Sequence, residues 1–194
     1  MAKSRDAQAQ ETRRKILENA AVLFSTCDYQ KIRMLDIARC AGVSVGTLYL
    51  YFHSKSDIVT SFIQERNDIL KESLIVDPDV SVTAQYLSYI DRYHNMIKTD
   101  GYNFSRAVQL AMIEEKIGHN DTKIDLQEAA IVNLIEHGFS SGELKAENGI
   151  SSNRFFQMFI YMINGTLVEW LYTGDESKLD TGMELAAQLI RLLQ

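Results

Sequence analysis

Apolar residues recur at i, i+3 and i+4 through most of the chain, and alternating stretches bounded by Gly and Pro are nearly absent. That pattern predicts an all-α protein. A first helix over about residues 10–25 turns Ile16, Leu17, Ala20, Ala21 and Phe24 inward, with Arg13, Arg14 and Lys15 ahead of the stripe. A short second helix carries Met34, Ile37, Ala38 and Ala41 and stops at Gly42, a residue free to adopt the left-handed conformation of a tight turn. Ser44 then N-caps a third helix to about residue 52, its hydroxyl taking an otherwise unpaired backbone N–H. Ser54-Lys55-Ser56-Asp57 reads as a capping box for a long fourth helix ending before Pro78. Further helices are expected over 82–99, 104–116, 121–140, 152–172 and 177–193, punctuated by Gly101, Gly118, Gly142, Asn148-Gly149 and Gly174.

The 194 residues allow one domain or two small ones, and the net charge of −6 argues against nucleic acid as a partner until its distribution is considered. Residues 1–57 hold nine Lys and Arg against six Asp and Glu, while the remainder holds eleven against twenty. A basic head on an acidic body points one end of the molecule at an anionic partner. The expected division is a helix-turn-helix head over 1–53 and a helical bundle over 54–194. The polar N-terminus and the absence of a long apolar run predict a cytoplasmic protein with no membrane partner. Cys27 and Cys40 form neither a disulfide framework nor a zinc motif, and free buried thiols are the expected state.

Helix, short helix, glycine turn and capped helix make a helix-turn-helix. Ala38 lets the two helices approach, and Ile37, Val43 and Leu48 fill the space between them. On the third helix Leu48 and Phe52 share one face, with Gly46 and Leu50 opposite, Val45 and Tyr49 on one flank, and Thr47 and Tyr51 on the other. An outward Tyr, Leu, Tyr run suits a major groove, where apolar groups meet thymine methyls and hydroxyls reach phosphates or base edges. The plainer alternative is that Tyr49 and Tyr51 cover a neighbouring helix. Ser44 with the helix N-terminus, and Lys55 at the start of the next helix, can each bind a phosphate.

The run Leu35-Asp36-Ile37-Ala38-Arg39-Cys40-Ala41-Gly42-Val43-Ser44-Val45-Gly46-Thr47-Leu48-Tyr49-Leu50-Tyr51-Phe52-His53-Ser54-Lys55 resembles the signature of the TetR family of transcriptional regulators, over about residues 12–58. The resemblance implies a helical homodimer that binds a palindromic operator on double-stranded DNA, usually as a repressor released by a small molecule. It assigns groove contact to Tyr49, phosphate contact to Lys55, backbone contact to Thr47 and Tyr51, and sequence reading to Val45, Gly46 and Leu50. Two positions depart from the pattern: Asp28 stands where the family commonly has Gly, and Arg33 replaces the usual Ser or Thr cap of the second helix. Arg33 loses a cap and adds a cation, so it joins Ser44 and the others as a DNA-binding candidate. Lys3 and Arg5 either add contacts to DNA or belong to a floppy terminus.

Twelve of the 18 aromatics lie between Tyr86 and Tyr172, with Tyr86, Tyr89 and Tyr93 on one helical stripe. Two readings are open: an ordinary core, or a cavity in which Tyr93, Met96, Phe104, Met112, Phe159, Met162 and Trp170 face a small hydrophobic ligand. A stripe of Phe155, Phe159, Met162, Thr166 and Trp170 and another of Met183, Ala186, Ala187, Ile190 and Leu193 suggest a four-helix dimer interface, with Phe155, Thr166, Met183, Ala187 and Ile190 as its candidates; intrachain packing is the alternative. His53, His94, His119 and His137 make no close ligand pair, the Asp121 and Asp125 pair fits a solvated face, and no phosphate-cradling or nucleophile motif occurs. No enzyme activity, cofactor or metal is expected. The leading expectation is a homodimeric, DNA-binding repressor released by a mainly hydrophobic effector. The alternatives are a DNA-binding regulator with a protein partner or no effector and, more distantly, an all-α carrier or enzyme.

Overall fold

The computed structural model describes residues 5–72, 74–114, 125–146 and 149–194. They form α1 (Arg5–Thr26), α2 (Met34–Ala41), α3 (Val45–Tyr51), α4 (Lys55–Glu72), α5 (Val82–Glu114), α6 (Asp125–Ser141), α7 (Ser152–Thr173) and α8 (Glu176–Gln188). Short 3-10 turns cover Tyr29–Lys31 and Leu189–Leu193. The all-α reading holds, with most helix ends within a few residues of those expected. Gly101 breaks α5, because its φ of 74° and ψ of 174° lie where other residues are strained. The expected pair of helices over 82–99 and 104–116 is thus present as the two limbs of α5, with residues 115 and 116 outside the described residues. Lys3, Gly118, His119, Asp121 and Asn148 also lie outside them.

The chain divides into two compact units, Met1–Glu65 with Asp100–Gly118, and Arg66–Thr99 with His119–Gln194. The sequence places the boundary at residue 53, whereas the first unit runs on through the first half of α4 and takes in the second limb of α5. Its core joins Ile16, Leu17, Ala20 and Phe24 of α1 to Ile37, Ala38, Leu48 and Phe52, and then to Ile58, Val59, Phe62, Phe104, Ala107 and Ala111. Phe24, Phe62 and Phe104 meet with centroids 5.4–6.5 Å apart in tilted and edge-on arrangements, the geometry aromatic quadrupoles favour.

In the second unit Tyr86, Tyr89, Ile131, Leu134, Ile135, Phe155, Phe159, Trp170, Leu179, Met183 and Ile190 build one core. The tyrosine stripe is therefore core: the Tyr86 hydroxyl donates to the Ala186 carbonyl at 2.6 Å, and burial pushes its ionisation well above the ordinary range. Helices α7 and α8 pack at close range. A Cβ at Gly182 would collide with the Thr166 side chain, so glycine is what permits that approach. Glu143 accepts from the Val82 and Thr83 N–H groups at 2.8 and 2.9 Å, closing the start of α5 across 60 residues of sequence. Among the described residues no helix is long and apolar enough to cross a membrane, and no cluster of three His, Cys, Asp or Glu side chains is placed to hold a metal.

Candidate nucleic-acid interface

Gly42 closes α2 in the left-handed conformation (φ 64°, ψ 36°), and its N–H is directed at the Ala38 and Arg39 carbonyls. Two residues later Ser44 caps α3, its hydroxyl accepting the Thr47 N–H at 2.9 Å and meeting the Thr47 hydroxyl at 2.8 Å. The turn and cap fix the direction in which α3 leaves. Leu48 and Phe52 then enter the core of the first unit, at 0% and 1% exposure. The opposite face is left in water: Leu50 is 83% exposed and Tyr49 46%, with Gly46 and Ser44 exposed beside them. An outward Leu next to an outward Tyr is an apolar patch on a helix that has no local reason to carry one.

The other expected residues occupy intermediate positions. Val45 and Tyr51 are half-buried against the core, as the alternative reading of Tyr51 has it, and Thr47 is half-buried beside its Ser44 partner. Arg33 is exposed at the start of α2 and provides no capping acceptor. The missing half of that cap is offset from the other side, because the Asp36 carboxylate accepts the Arg33 N–H at 2.9 Å. Lys55 opens α4. Its ammonium donates to the Tyr29 carbonyl at 2.8 Å and lies 4.2 Å from the Tyr29 ring centre, which holds its charge in a defined place. The α4 start is capped as expected, with Ser54 accepting the Asp57 N–H and Asp57 accepting the His53 N–H.

The turn ahead of α2 is held from elsewhere in the same unit. Asp28 Oδ1 accepts the Gln30 N–H at 3.2 Å and an Arg106 guanidinium N–H at 3.0 Å, and these donors, Gln30 first, hold its carboxyl below the ordinary carboxylate range. Asn103 donates to the Ser25 carbonyl at 3.0 Å, and the Tyr29 hydroxyl reaches Glu114 at 3.4 Å. No local pattern in the sequence marks Arg106 or Asn103, since their partners lie 78 residues away. Cys27 and Cys40 are both exposed, contrary to the expectation of buried thiols: Cys27 follows the last residue of α1 and Cys40 lies in the last turn of α2.

The hydrophobic-ligand candidates are not gathered in one unit. Tyr93, Met96, Phe159, Met162 and Trp170 belong to the core of the second unit, whereas Phe104 packs on Phe24 and Phe62 in the first and Met112 is half-buried on the same limb of α5. A groove of about 340 Å³ in the first unit is lined by Gln10, Arg13, Arg14, Leu17, Phe62 and Glu65 among others, none of them in that set. The dimer candidates also need correction. Phe155, Met183 and Ile190 are at most 2% exposed within a single chain, and Thr166 is packed on Gly182. Only Ala187 is half-buried. These side chains make the contact of α7 and α8 with their own core, so a partner would have to meet the other face.

Residues 16–61 match the family model described as bacterial regulatory proteins, tetR family. The chain is 26% identical over 161 residues to a fatty acid metabolism regulator protein of Bacillus subtilis, covering 80% of this chain and 81% of that one. The fold resembles the fatty acid degradation regulator FadR of Bacillus halodurans at a TM-score of 0.75 and 18% identity, covering 98% and 96% of the two chains. It also resembles the Bacillus subtilis transcriptional regulator FadR in complex with stearoyl-CoA, at a TM-score of 0.73 and 20% identity over 93% and 99%. Two neighbouring leucines of α3 separate the scaffold from the presented surface. Leu48→Ala is expected to destabilise the first unit by about 2–5 kcal/mol, and Leu50→Ala to change stability by less than about 0.5 kcal/mol, as read by urea denaturation.

Proposed function

We propose that this chain, whose residues 16–61 match the tetR family of bacterial regulatory proteins, is a DNA-binding transcriptional regulator that binds a palindromic operator as a homodimer and represses transcription until a small hydrophobic effector releases it. The observation that carries the DNA reading is α3: a capped helix anchored by Leu48 and Phe52 that presents Tyr49, Leu50, Gly46 and Ser44 to solvent. In a major groove Tyr49 and Leu50 meet base edges and thymine methyls, with Val45 and Gly46 at the leading turn. Ser44, Thr47, Tyr51, Arg33 and Lys55 contact the backbone, fixing the register without reading sequence. In this reading DNA recognition lies in residues 1–53 with Lys55 just beyond them, and effector binding and dimerisation in the rest of 54–194.

A dimer is supported by an exposed face of the second unit. Tyr161, Gly165, Val168 and Tyr172 recur at i, i+4, i+7 and i+11 along α7, and Leu185 and Leu192 stand exposed further along the chain, in α8 and the 3-10 turn after it. Tyr172 is 89% exposed and Tyr161 68%. A stripe of this kind on two packed helices is self-complementary about a twofold axis, the symmetry a palindrome requires. Gly165 adds no side chain there and lets a partner helix come close. For the effector, the relatives that regulate fatty acid metabolism, one of them held with stearoyl-CoA, favour a long-chain acyl thioester. The apolar core of the second unit, with Tyr93, Met96 and Met162 only partly buried at its edge, supplies side chains suited to an acyl chain. Releasing DNA by a factor of ten to a hundred needs only about 1.4–2.8 kcal/mol of coupling.

The test is selection of binding sites from random-sequence duplex DNA, followed by titration with stearoyl-CoA. The native protein should enrich a palindrome and Tyr49→Ala should not, and stearoyl-CoA should weaken binding at least about tenfold. Failure to enrich any sequence contradicts the DNA reading. Binding that stearoyl-CoA leaves unchanged removes the acyl thioester as effector and favours a protein partner or no effector. For the dimer face, the double variant Tyr161→Glu with Val168→Glu should sediment as a folded monomer, and a persistent dimer places the interface elsewhere.

A further inference from the structure

In the first unit the lysine assigned to a phosphate is not held by its own helix alone. Its ammonium has three donors, and one is committed to the carbonyl of Tyr29, whose ring lies beneath it. Tyr29 is 1% exposed and begins the 3-10 turn that Asp28 caps. Asp28 in turn bonds to Arg106 on the second limb of α5 at 3.0 Å, and the same limb reaches the turn again through Asn103 on Ser25 and Glu114 on the Tyr29 hydroxyl. A continuous path of contacts therefore runs from Arg106 through Asp28 and Tyr29 to Lys55. The limb begins immediately after Gly101, whose backbone leaves the helical region. The Asp28 and Arg106 side chains are about one-third exposed, which makes the pair weak enough to open at low cost.

We propose that Arg106 is a positioning residue for DNA binding: through Asp28 and Tyr29 it sets Lys55 against its phosphate, so that withdrawing the second limb of α5 from the turn loosens a backbone contact. This rests on the DNA reading above and deepens it. The position that departs from the family pattern, Asp28, is the link that gives Arg106 its hold on the turn.

The experiment measures operator affinity against salt for the full chain on a selected site. Each phosphate neutralised by the protein contributes about 0.9 to the slope of log K against log salt. Arg106→Gln should lower affinity about three- to tenfold at moderate salt and flatten that slope by about 0.9 per protomer, matching Lys55→Met. The double variant should lose no more than Lys55→Met alone, and Arg106→Lys, which keeps a single charged donor for Asp28, should restore the slope. Asp28→Ala, which removes the acceptor, provides a second break of the same path should Arg106→Gln fold poorly by circular dichroism. An unchanged slope in folded Arg106→Gln or Asp28→Ala, or losses that add in the double variant, overturns the positioning role. A native protein whose binding does not respond to salt overturns the DNA reading itself, which separates the two failures.

Discussion

A helix of seven residues does not persist in water on its own, because nucleation costs more than so few hydrogen bonds return. Everything this molecule presents on α3 therefore depends on Leu48 and Phe52 being driven into the core beneath it. Gly42 and Ser44 decide the angle at which the helix leaves the turn, but burial of those two side chains decides that it exists. The outward face is then free to carry residues that serve no packing role, and Leu50 and Tyr49 are such residues. Burial and exposure are divided between the two faces of one short helix.

The core that supports α3 is assembled from distant parts of the chain. Phe104, Ala107 and Ala111, on the second limb of α5, complete the space left by Phe24 and Phe62. Polar contacts from the same limb tie down the turn at Asp28 and Tyr29, and Tyr29 steadies Lys55. The outward face of α3 is thus supported by Phe104, Ala107 and Ala111, more than 50 positions from it in sequence. A segment that helps to build a binding surface is also able to disturb it, which is the physical requirement for a regulated head.

Local features were legible in the sequence because local physics produces them. The left-handed Gly42, the Ser44 cap, the Ser54 and Asp57 cap and the inward register of Ile16, Ala20, Phe24 and Leu48 each follow from spacing within one or two helical turns. The tyrosine stripe over 86–93 was equally visible, though periodicity alone left core and cavity open. What was not legible depends on partners far away. The stripe from Phe155 to Trp170 is apolar on both sides of α7, so its sequence does not say which side its own chain covers; Gly182 against Thr166 settles that the inner side is intrachain. Phe104 carries no mark of the unit to which it belongs, and Arg106 none of its bond to Asp28, because both are set by how the chain returns. The exposed thiols had no periodic signal, as each lies near the end of a helix where the inward and outward faces are poorly defined.

An outward face of α3 seated in a major groove covers guanine N7, an atom of that groove, and shields it from methylation. On a selected duplex the protein is predicted to protect N7 positions in two successive major grooves on one side of the helix, with centres about 34–36 Å apart, and Tyr49→Ala is predicted to abolish the protection. Reactivity unchanged at every N7 while minor-groove positions are shielded would mean that α3 does not enter the major groove.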